Sequence, residues 1–407
     1  MPEFTPIRSI KRPVVGVRIP EWATFARPIF DGILDHMRLR GWWDLQTEND
    51  AHGEIEAFRI DKDWTGDGLI TFRCTEEELA AWKSRGIAVV NISSEGPVGG
   101  FPRVIPDNAE VGRLAARHLR ECGLENFAYV SRGVSVYDKR KEWITGERRY
   151  GRERFAGFSE ELARTGHKPE ALFLSRIQYD SPVAWLDVMR EINAFLATLP
   201  RPCGVFVVDD LLGVSLLRAA VGRGIPVPAD LSVVAFGDDK VFCQLVAPAL
   251  SSVRYPGREI GLEAARLLAM QLDGARPGEI ESVVPVTSVT RRESSDFLSI
   301  TDAETARLVR LIRDRAPHEP LQAAEVFDAT TLSPTVVKSR FNTALGHGPK
   351  QEILNVRIAH LRRLLGDTAF PLQDIAAGMG FASTAEMSRF YERHTGLKPS
   401  GTRRGER

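Results

Sequence analysis

Two stretches near the carboxyl end, SPTVVKSRFNTALGHGP (333–349) and STAEMSRFYERHTGLKP (383–399), repeat the same residue types at an offset of 50. Ser333 matches Ser383, Val337 matches Met387, Phe341 matches Tyr391, Gly346 matches Gly396 and Pro349 matches Pro399. Ser333 before Pro334 is a helix N-cap with proline at the first helical position, and Ser383 with Glu386 forms a capping box. The i, i+4 pairs Val337/Phe341 and Met387/Tyr391 give each helix an inward stripe, and each glycine suits a left-handed helix stop. The opposite faces present Thr335, Lys338, Ser339 and Arg340 in one helix, and Thr384, Ala385, Ser388, Arg389 and Arg393 in the other. Lysine and arginine on an exposed helix face can pair with guanine O6 and N7, worth about 1–3 kcal/mol of discrimination, or can neutralise phosphates.

Such side chains need a helix pair to aim them. DIAAGMG (374–380) supplies a short helix with Ile375, Ala376 and Met379 inward, ending at Gly380; small Ala376 and Ala377 allow close packing on the next helix. That is a helix-turn-helix pattern. Between the repeats, KQEILNVRIAHLRRLL (350–365) spaces Leu354, Ile358, Leu361 and Leu365 as one helix joining two modules. A rigid joint would let both recognition helices enter successive major grooves about 34 Å apart. Two capped helices also occur in ordinary bundles; the second copy, the connector and the cations Lys338, Arg340, Arg389 and Arg393 favour the DNA reading.

The 407 residues suffice for two or three domains. Net charge is zero, but the last 107 residues carry 16 Lys and Arg against 12 Asp and Glu, so the tail is +4 and the body −4. Cys74, Cys122, Cys203 and Cys243 show no CxxC spacing and read as buried thiols in a reducing compartment. The first twenty residues lack a signal-peptide core and no run reaches membrane-span length, so a cytoplasmic protein without membrane contact is expected. From Val14 to about Val289, short β-branched runs (VVGV 14–17, GLIT 68–71, IAVVNI 87–92, FAYV 127–130, LFL 172–174, GVFVV 204–208, LSVVAF 231–236) alternate with helical patterns at 108–121, 149–164, 182–199, 210–223 and 256–272. Such alternation predicts parallel sheets covered by helices, here as two doubly wound lobes. At Thr301 the character changes: TDAE (301–304) reads as a capping box with Thr301 as N-cap, and only helices follow.

The carboxyl-terminal region resembles the two-module DNA-binding domain of the AraC family, carried by Gly380, Phe381, Ser383, Arg389, Tyr391, Gly396, Pro399 and RIAHLRRLL; it departs at Thr330–Thr331, where a turn glycine is usual, and at Thr402, where tyrosine is usual. The preceding region resembles the effector-binding core of LacI-type regulators and periplasmic sugar-binding proteins. PDNAEVGRLAARHLRECG (106–123), RFAGFSEEL (154–162), the run 206–239 and ALSSVRYPGREIGLEAARLL (249–268) carry this likeness. LacI regulators place their helix-turn-helix ahead of this core. Here the head is expected at the other end, the arrangement of the xylose operon regulator family, which TFARPIFDG (24–32) and DWTGDGLI (63–70) also resemble.

The resemblance implies an α/β, two-lobed, doubly wound periplasmic-binding-protein-like domain at 1–295, followed by an all-α double helix-turn-helix domain at 296–407. It implies a sugar site with Arg154 first, then Asp209 and Asp210, Asp238, Arg27 on the first strand–helix loop, and Phe25 or Trp64 as wall. The aspartate usual after VVAF is replaced by Gly237. Alternatives stand beside each: Arg154 pairing on its helix, Trp64 as core, and Asp209 and Asp210 capping the next helix. No GxxxxGK, GxGxxG, HExxH or GxSxG occurs, so no enzyme, cofactor or metal is implied. The expectation is a sugar-responsive transcription regulator acting on double-stranded operator DNA, forming a homodimer through its α/β lobes and meeting RNA polymerase if it activates. The alternative is a sugar-binding or sugar-processing protein whose helical tail contacts other proteins.

Overall fold

A computed structural model describes residues 12–20, 24–48, 58–95, 100–132, 149–174, 184–275, 278, 280–296, 302–367 and 370–403. The chain forms two compact units, Met1–Phe297 and Leu298–Arg407.

The first unit begins β1 (Val14–Arg18), α1 (Ala26–Arg40), β2 (Asp44–Thr47), β3 (Gly68–Thr71), α2 (Glu76–Ser84), β4 (Ala88–Asn91) and β5 (Arg103–Pro106). It continues α3 (Asn108–Glu121), β6 (Asn126–Arg132), α4 (Arg149–Ala163), β7 (Glu170–Leu174), α5 (Ala184–Thr198), β8 (Cys203–Val207), α6 (Asp210–Gly222), β9 (Leu231–Gly237) and β10 (Ser251–Arg254). It closes with α7 (Gly257–Leu272), β11 (Glu281–Val284) and β12 (Val289–Thr290). Two six-stranded sheets result, ordered β11-β5-β4-β3-β1-β2 and β12-β10-β9-β8-β6-β7. All pairings are parallel except that of β12 with β10. The chain crosses between lobes after β5, after β10 and after β11, so the strands' carboxyl ends face a common cleft, where open α/β sheets bind ligands.

The β-branched runs became β1, β3, β4, β6, β7, β8 and β9, and the five helical patterns became α3 to α7, each within a few residues. The short strands DLQT, RVIP, SSVR and ESVV lacked an apolar run long enough to read. They form because parallel neighbours complete their backbone hydrogen bonds.

Each lobe is clamped by a helix pair touching backbone to backbone. In the first, a Cβ on Gly32 would strike the Arg258 carbonyl and one on Gly261 the Ile29 carbonyl. In the second, a Cβ on Gly112 would strike the Arg154 carbonyl and one on Gly157 the Ala109 carbonyl. The same device thus fixes α1 on α7 and α3 on α4.

The turn leaving the first unit is pinned from several sides. Ser294 Oγ donates to the Val233 carbonyl at 2.6 Å, and Ser295 Oγ donates to Ser251 Oγ at 2.7 Å. The His118 Nε2 of α3 lies 2.6 Å from Ser295 Oγ. Burial, with the Arg291 charge adding to it, lowers the His118 pKa to about 4.

The second unit holds α8 (Ala303–Arg315), α9 (Ala323–Asp328), α10 (Pro334–Leu345), α11 (Pro349–Asp367), α12 (Leu372–Gly378), α13 (Thr384–Thr395) and α14 (Pro399–Arg403). The N-cap of α8 is Asp302, whose carboxylate accepts from the Thr305 backbone N–H at 2.8 Å. The expected cap, Thr301, lies outside the described residues, and Glu304 pairs with Arg307 rather than reaching back.

Two measurements follow. Gly261→Ala should cost about 1–3 kcal/mol in urea unfolding, because neither backbone can yield without opening the helix pair. Gly222→Ala, with nothing near its Cβ position, should cost nothing. The depressed His118 pKa makes its contribution present above pH 6.5 and lost as pH falls toward 4, because only the unfolded chain protonates readily in that window. Denaturation midpoints of His118→Gln should therefore depend less steeply on pH between 6.5 and 4 than those of the native chain.

Candidate ligand cleft and DNA-binding face

At the carboxyl ends of the strands an aromatic series runs from one lobe to the other. Phe72, after β3, packs on Phe25 with ring centroids 4.8 Å apart and planes tilted by 46°. Phe25 lies 5.7 Å from Tyr255, and Tyr255 meets Phe236 edge-on at 5.7 Å. The Arg154 guanidinium sits 4.1 Å from the Phe236 ring and 4.8 Å from the Tyr150 ring. Tyr255 belongs to the β10–α7 crossing, so it spans both sets. Its burial raises the phenol pKa.

Arg154 is 7% exposed, and burial lowers its pKa. Its Nε donates to Asn108 Oδ1 at 3.0 Å and its Nη1 to the Val208 carbonyl at 2.7 Å. Asn108 follows the β5 crossing and its Nδ2 donates to Ser94 Oγ at 3.1 Å and Glu153 Oε2 at 3.0 Å. Asn108 thus joins the first lobe to the arginine of the second.

The aspartates divide. Asp209 caps α6, accepting from the Leu212 N–H at 2.8 Å, and takes Arg132 Nε at 2.7 Å and Nη2 at 3.1 Å. Burial would raise its pKa, but Arg132 and the Leu212 N–H hold it below the ordinary aspartate value. Asp210 turns inward under the β9 end, accepting from Ser252 Oγ at 2.6 Å and the Asp239 N–H at 2.9 Å. Its pKa rises to about 6, mainly through burial. Asp238, held left-handed at φ 57°, turns to the outgoing strand and pairs with Arg292 at 2.6 Å and Thr290 Oγ1 at 2.6 Å. Asp210 and Asp238 are therefore structural pins.

Trp64 precedes β3, at the opposite end of the sheet from the cleft. It is buried with Ile60, Leu69 and Trp82, and its indole N–H donates to Gln46 at 2.9 Å. Its place is the core, since indole burial there closes that edge of the sheet. Arg27 is exposed on the first turn of α1. The aromatic and amide partners Tyr150, Phe236, Tyr255, Arg132 and Asn108 were not singled out in the sequence; the crossings alone bring them together.

In the second unit Ser333 and Ser383 cap α10 and α13, accepting from Val336 and Glu386 N–H groups. Glu386 reaches back one residue further than expected, to the Ala382 N–H at 2.8 Å. Val337, Phe341, Met387 and Tyr391 are buried; Thr335, Lys338, Ser339, Ala385, Arg389 and Arg393 are exposed, and Thr384 and Ser388 half-buried. Arg340 is bound to Asp302 at 2.7 Å, so it anchors α8. Gly346, Gly380 and Gly396 take the left-handed conformation at the helix stops. Thr402 Oγ1 lies 3.1 Å from the Tyr391 hydroxyl and so closes α14 on α13.

The connector packs differently from the expected stripe. Its first half sends Ile353 into one core, its second half Leu361 and Leu365 into another, while Leu354 and Ile358 are half-buried. Between them lies Arg357, buried, with Nη1 donating to the carbonyls of Ala316 (3.0 Å) and Glu319 and Nη2 to that of Met379 (3.0 Å). Its guanidinium lies 4.5 Å from the Phe381 ring. One side chain thus ties the end of α8 to the turn of the second module.

A periplasmic binding protein-like domain model matches residues 116–295, and a helix-turn-helix domain model matches 327–405. Fold and matches together define a transcription regulator with an effector-binding α/β domain followed by a helix-turn-helix DNA-binding domain. The chain is xylose-operon-regulator-like. It is 28% identical over 74% of its length to 74% of the xylose operon regulatory protein of Haemophilus influenzae. Against that of Escherichia coli strain K12 it is 26% identical over 88% of both chains. A solved xylose-binding transcription activator superposes over 97% of this chain and 99% of its own, at TM-score 0.72 and 23% identity, which establishes the shared fold. Among the described residues no helix is long and apolar enough to cross a membrane.

Replacing Arg357 by Ala strands two buried carbonyls, those of Ala316 and Met379, each costing about 1–3 kcal/mol. The second module should then exchange its amide hydrogens faster in α12 and α13 while α8 to α10 change less, as read by hydrogen exchange.

Proposed function

We propose that the protein binds a carbohydrate in its α/β cleft and operator DNA through α10 and α13, so that occupancy of one governs engagement of the other. The observation that carries the reading is Arg154, a buried guanidinium flanked by two rings whose outer N–H groups meet no acceptor among the described residues. Guanidinium and carboxylate groups recognise adjacent hydroxyls, and an aromatic face covers the apolar side of a sugar ring. Phe25, Phe72 and Tyr255 supply that face here. The relatives' names point to a pentose or a related carbohydrate. Closure of the lobes on the effector changes how the DNA-binding units are presented.

On this reading Asp209 keeps a ligand role beside Arg154, with Arg27 at the rim. The DNA face comprises Ser333, Thr335, Lys338 and Ser339 in the first module and Ser383, Thr384, Ala385, Ser388, Arg389 and Arg393 in the second. A homodimer through the α/β lobes is supported by exposed apolar side chains on that unit, Leu39 at 78% and Val241 at 65% exposure among them. Double-stranded DNA and the effector are the partners, with RNA polymerase contacted if the protein activates; the setting is the cytoplasm and no enzyme activity is assigned.

DNA binding has two checks. If Arg389 reads a base, Arg389→Ala relaxes preference at one position of the site by about 1–3 kcal/mol; if it holds a phosphate, binding weakens on all sequences and the salt slope falls by about one. Because Arg357 ties the modules together, an insertion of about five base pairs between the subsites turns one away by half a helical turn. Gel shifts should then show loss of specific binding, and undiminished binding to the spaced site would sink the two-groove reading.

A further inference from the structure

α4 begins where the two lobes meet, and the first lobe holds it there with two carboxylates. The helix belongs to the second lobe, where it packs on α3 and touches β6. Its first residue, Arg149, donates from Nη1 to Glu281 Oε2 at 2.8 Å and from Nη2 to Glu281 Oε1 at 2.6 Å. Glu281 opens β11, the strand that pairs with β5 at the edge of the first lobe's sheet. The ion pair is therefore bidentate, joins residues 132 apart in sequence and crosses from one lobe to the other.

The second carboxylate is Glu95, which follows β4 of the same first-lobe sheet. It is 9% exposed, and its Oε1 accepts from the Tyr150 N–H at 3.3 Å. The first N–H groups of a helix have no partner inside it and form the positive end of its dipole, so a carboxylate is favoured there. Here the other lobe supplies it. The same first turns lead on to the arginine of the cleft. Arg149 Nε donates to Glu153 Oε1 at 2.6 Å, Asn108 Nδ2 donates to Glu153 Oε2 at 3.0 Å, and Arg154 Nε donates to Asn108 Oδ1 at 3.0 Å. Hydrogen bonding to Glu281, then to Glu153, raises the Arg149 pKa, and Arg149 holds Glu281 below the ordinary glutamate value.

We propose that Glu281 and Arg149, with Glu95 on the first turn of α4, form a latch that holds the lobes together and positions α4, and Arg154 with it, before any effector is bound. Both members of the ion pair are more than a third exposed, so the pair adds little to the stability of the fold. The equilibrium between closed and open lobes is a different quantity. It responds to every contact that one arrangement has and the other lacks. An effector held better by the closed form then binds in proportion to the fraction of chains already closed. That consequence rests on the carbohydrate reading above, whereas the latch does not.

The test needs no effector, so its failure leaves the carbohydrate reading standing. Ala80→Cys on α2 and Ala197→Cys on α5 put spin labels on exposed sites of the two lobes, and the four native cysteines are buried. Double electron–electron resonance on the labelled full-length chain, diluted in unlabelled chain, reads the distance between the lobes. Glu281→Gln and Arg149→Met should each shift the distance distribution, both in the same direction. The double variant should shift it no further than the larger of the two, because both substitutions remove one interaction. About 1 M salt, where the Debye length falls to roughly 3 Å, should move the native chain toward the variants. Glu160→Gln, whose partners Arg113 and Arg164 lie in the second lobe, should change nothing. A distribution that neither single variant alters overturns the latch, and so does a double variant whose shift is the sum of the two.

Discussion

Both units of this protein are organised around a buried guanidinium that, among the described residues, hydrogen-bonds to no carboxylate. Arg154 lies between Tyr150 and Phe236; Arg357 lies against Phe381, with Phe390 farther off at 5.8 Å. In each case burial lowers the pKa, which records the cost of removing the charge from water. The two arginines meet that cost differently, and the difference separates a site from a staple. Arg357 spends its donors on the Ala316 and Met379 carbonyls at the ends of α8 and α12, and on that of Glu319 in the turn after α8. Arg154 has one carbonyl and one amide oxygen, and its remaining donors meet no acceptor among the described residues. The arginine with unspent donors is the one placed at the strand ends.

That placement follows from the topology. Parallel strands force every crossover to run behind the sheet, so all carboxyl ends emerge on one side. Two such sheets joined by three crossings bring those sides to one cleft. The crossings supply residues that neither lobe could position alone: Asn108 after β5, Tyr255 after β10. Asn108 orients Arg154 through its amide oxygen while its nitrogen reaches Ser94, so guanidinium orientation depends on how the lobes meet. The glycine-to-carbonyl contacts of α3 on α4 then fix where Arg154 starts, since Gly112 packs against the Arg154 carbonyl itself.

Legibility in the sequence tracked how local the determining interaction was. Caps, helix stops and long apolar periods are encoded within four residues, and the starts of α10 and α13 were readable from Ser333 and Ser383. The edge strands DLQT and ESVV have no such code, since their neighbours in the sheet hold them. Arg154 and Asp209 were readable through motif likeness. Tyr255 and Arg132 were not, because nothing in their neighbourhoods distinguishes a cleft residue from a loop residue. Trp64 stayed open between wall and core because an aromatic near a strand suits either equally; its burial with Ile60, Leu69 and Trp82 decides for the core. Arg357 was invisible for a related reason: in RIAHLRRLL it looks like the solvated face of an amphipathic helix, and only the two flanking modules bury it.

The acidic residues make the same point about charge. VVDD and GDD put four carboxylates at the ends of two adjacent strands, which in isolation reads as a strongly anionic pocket. The fold removes nearly all of that character. Asp209 meets Arg132, Asp238 meets Arg292, Asp239 accepts from the Val241 and Phe242 N–H groups, and Asp210 is buried until its pKa nears 6. Three of the four hold the β9–β10–β12 edge and the turn after it in place; only Asp209 faces the arginine pair. Charge at a site is set by which groups remain uncommitted after the backbone and its neighbours have been satisfied, and of these four aspartates only Asp209 keeps its charge turned toward the arginines.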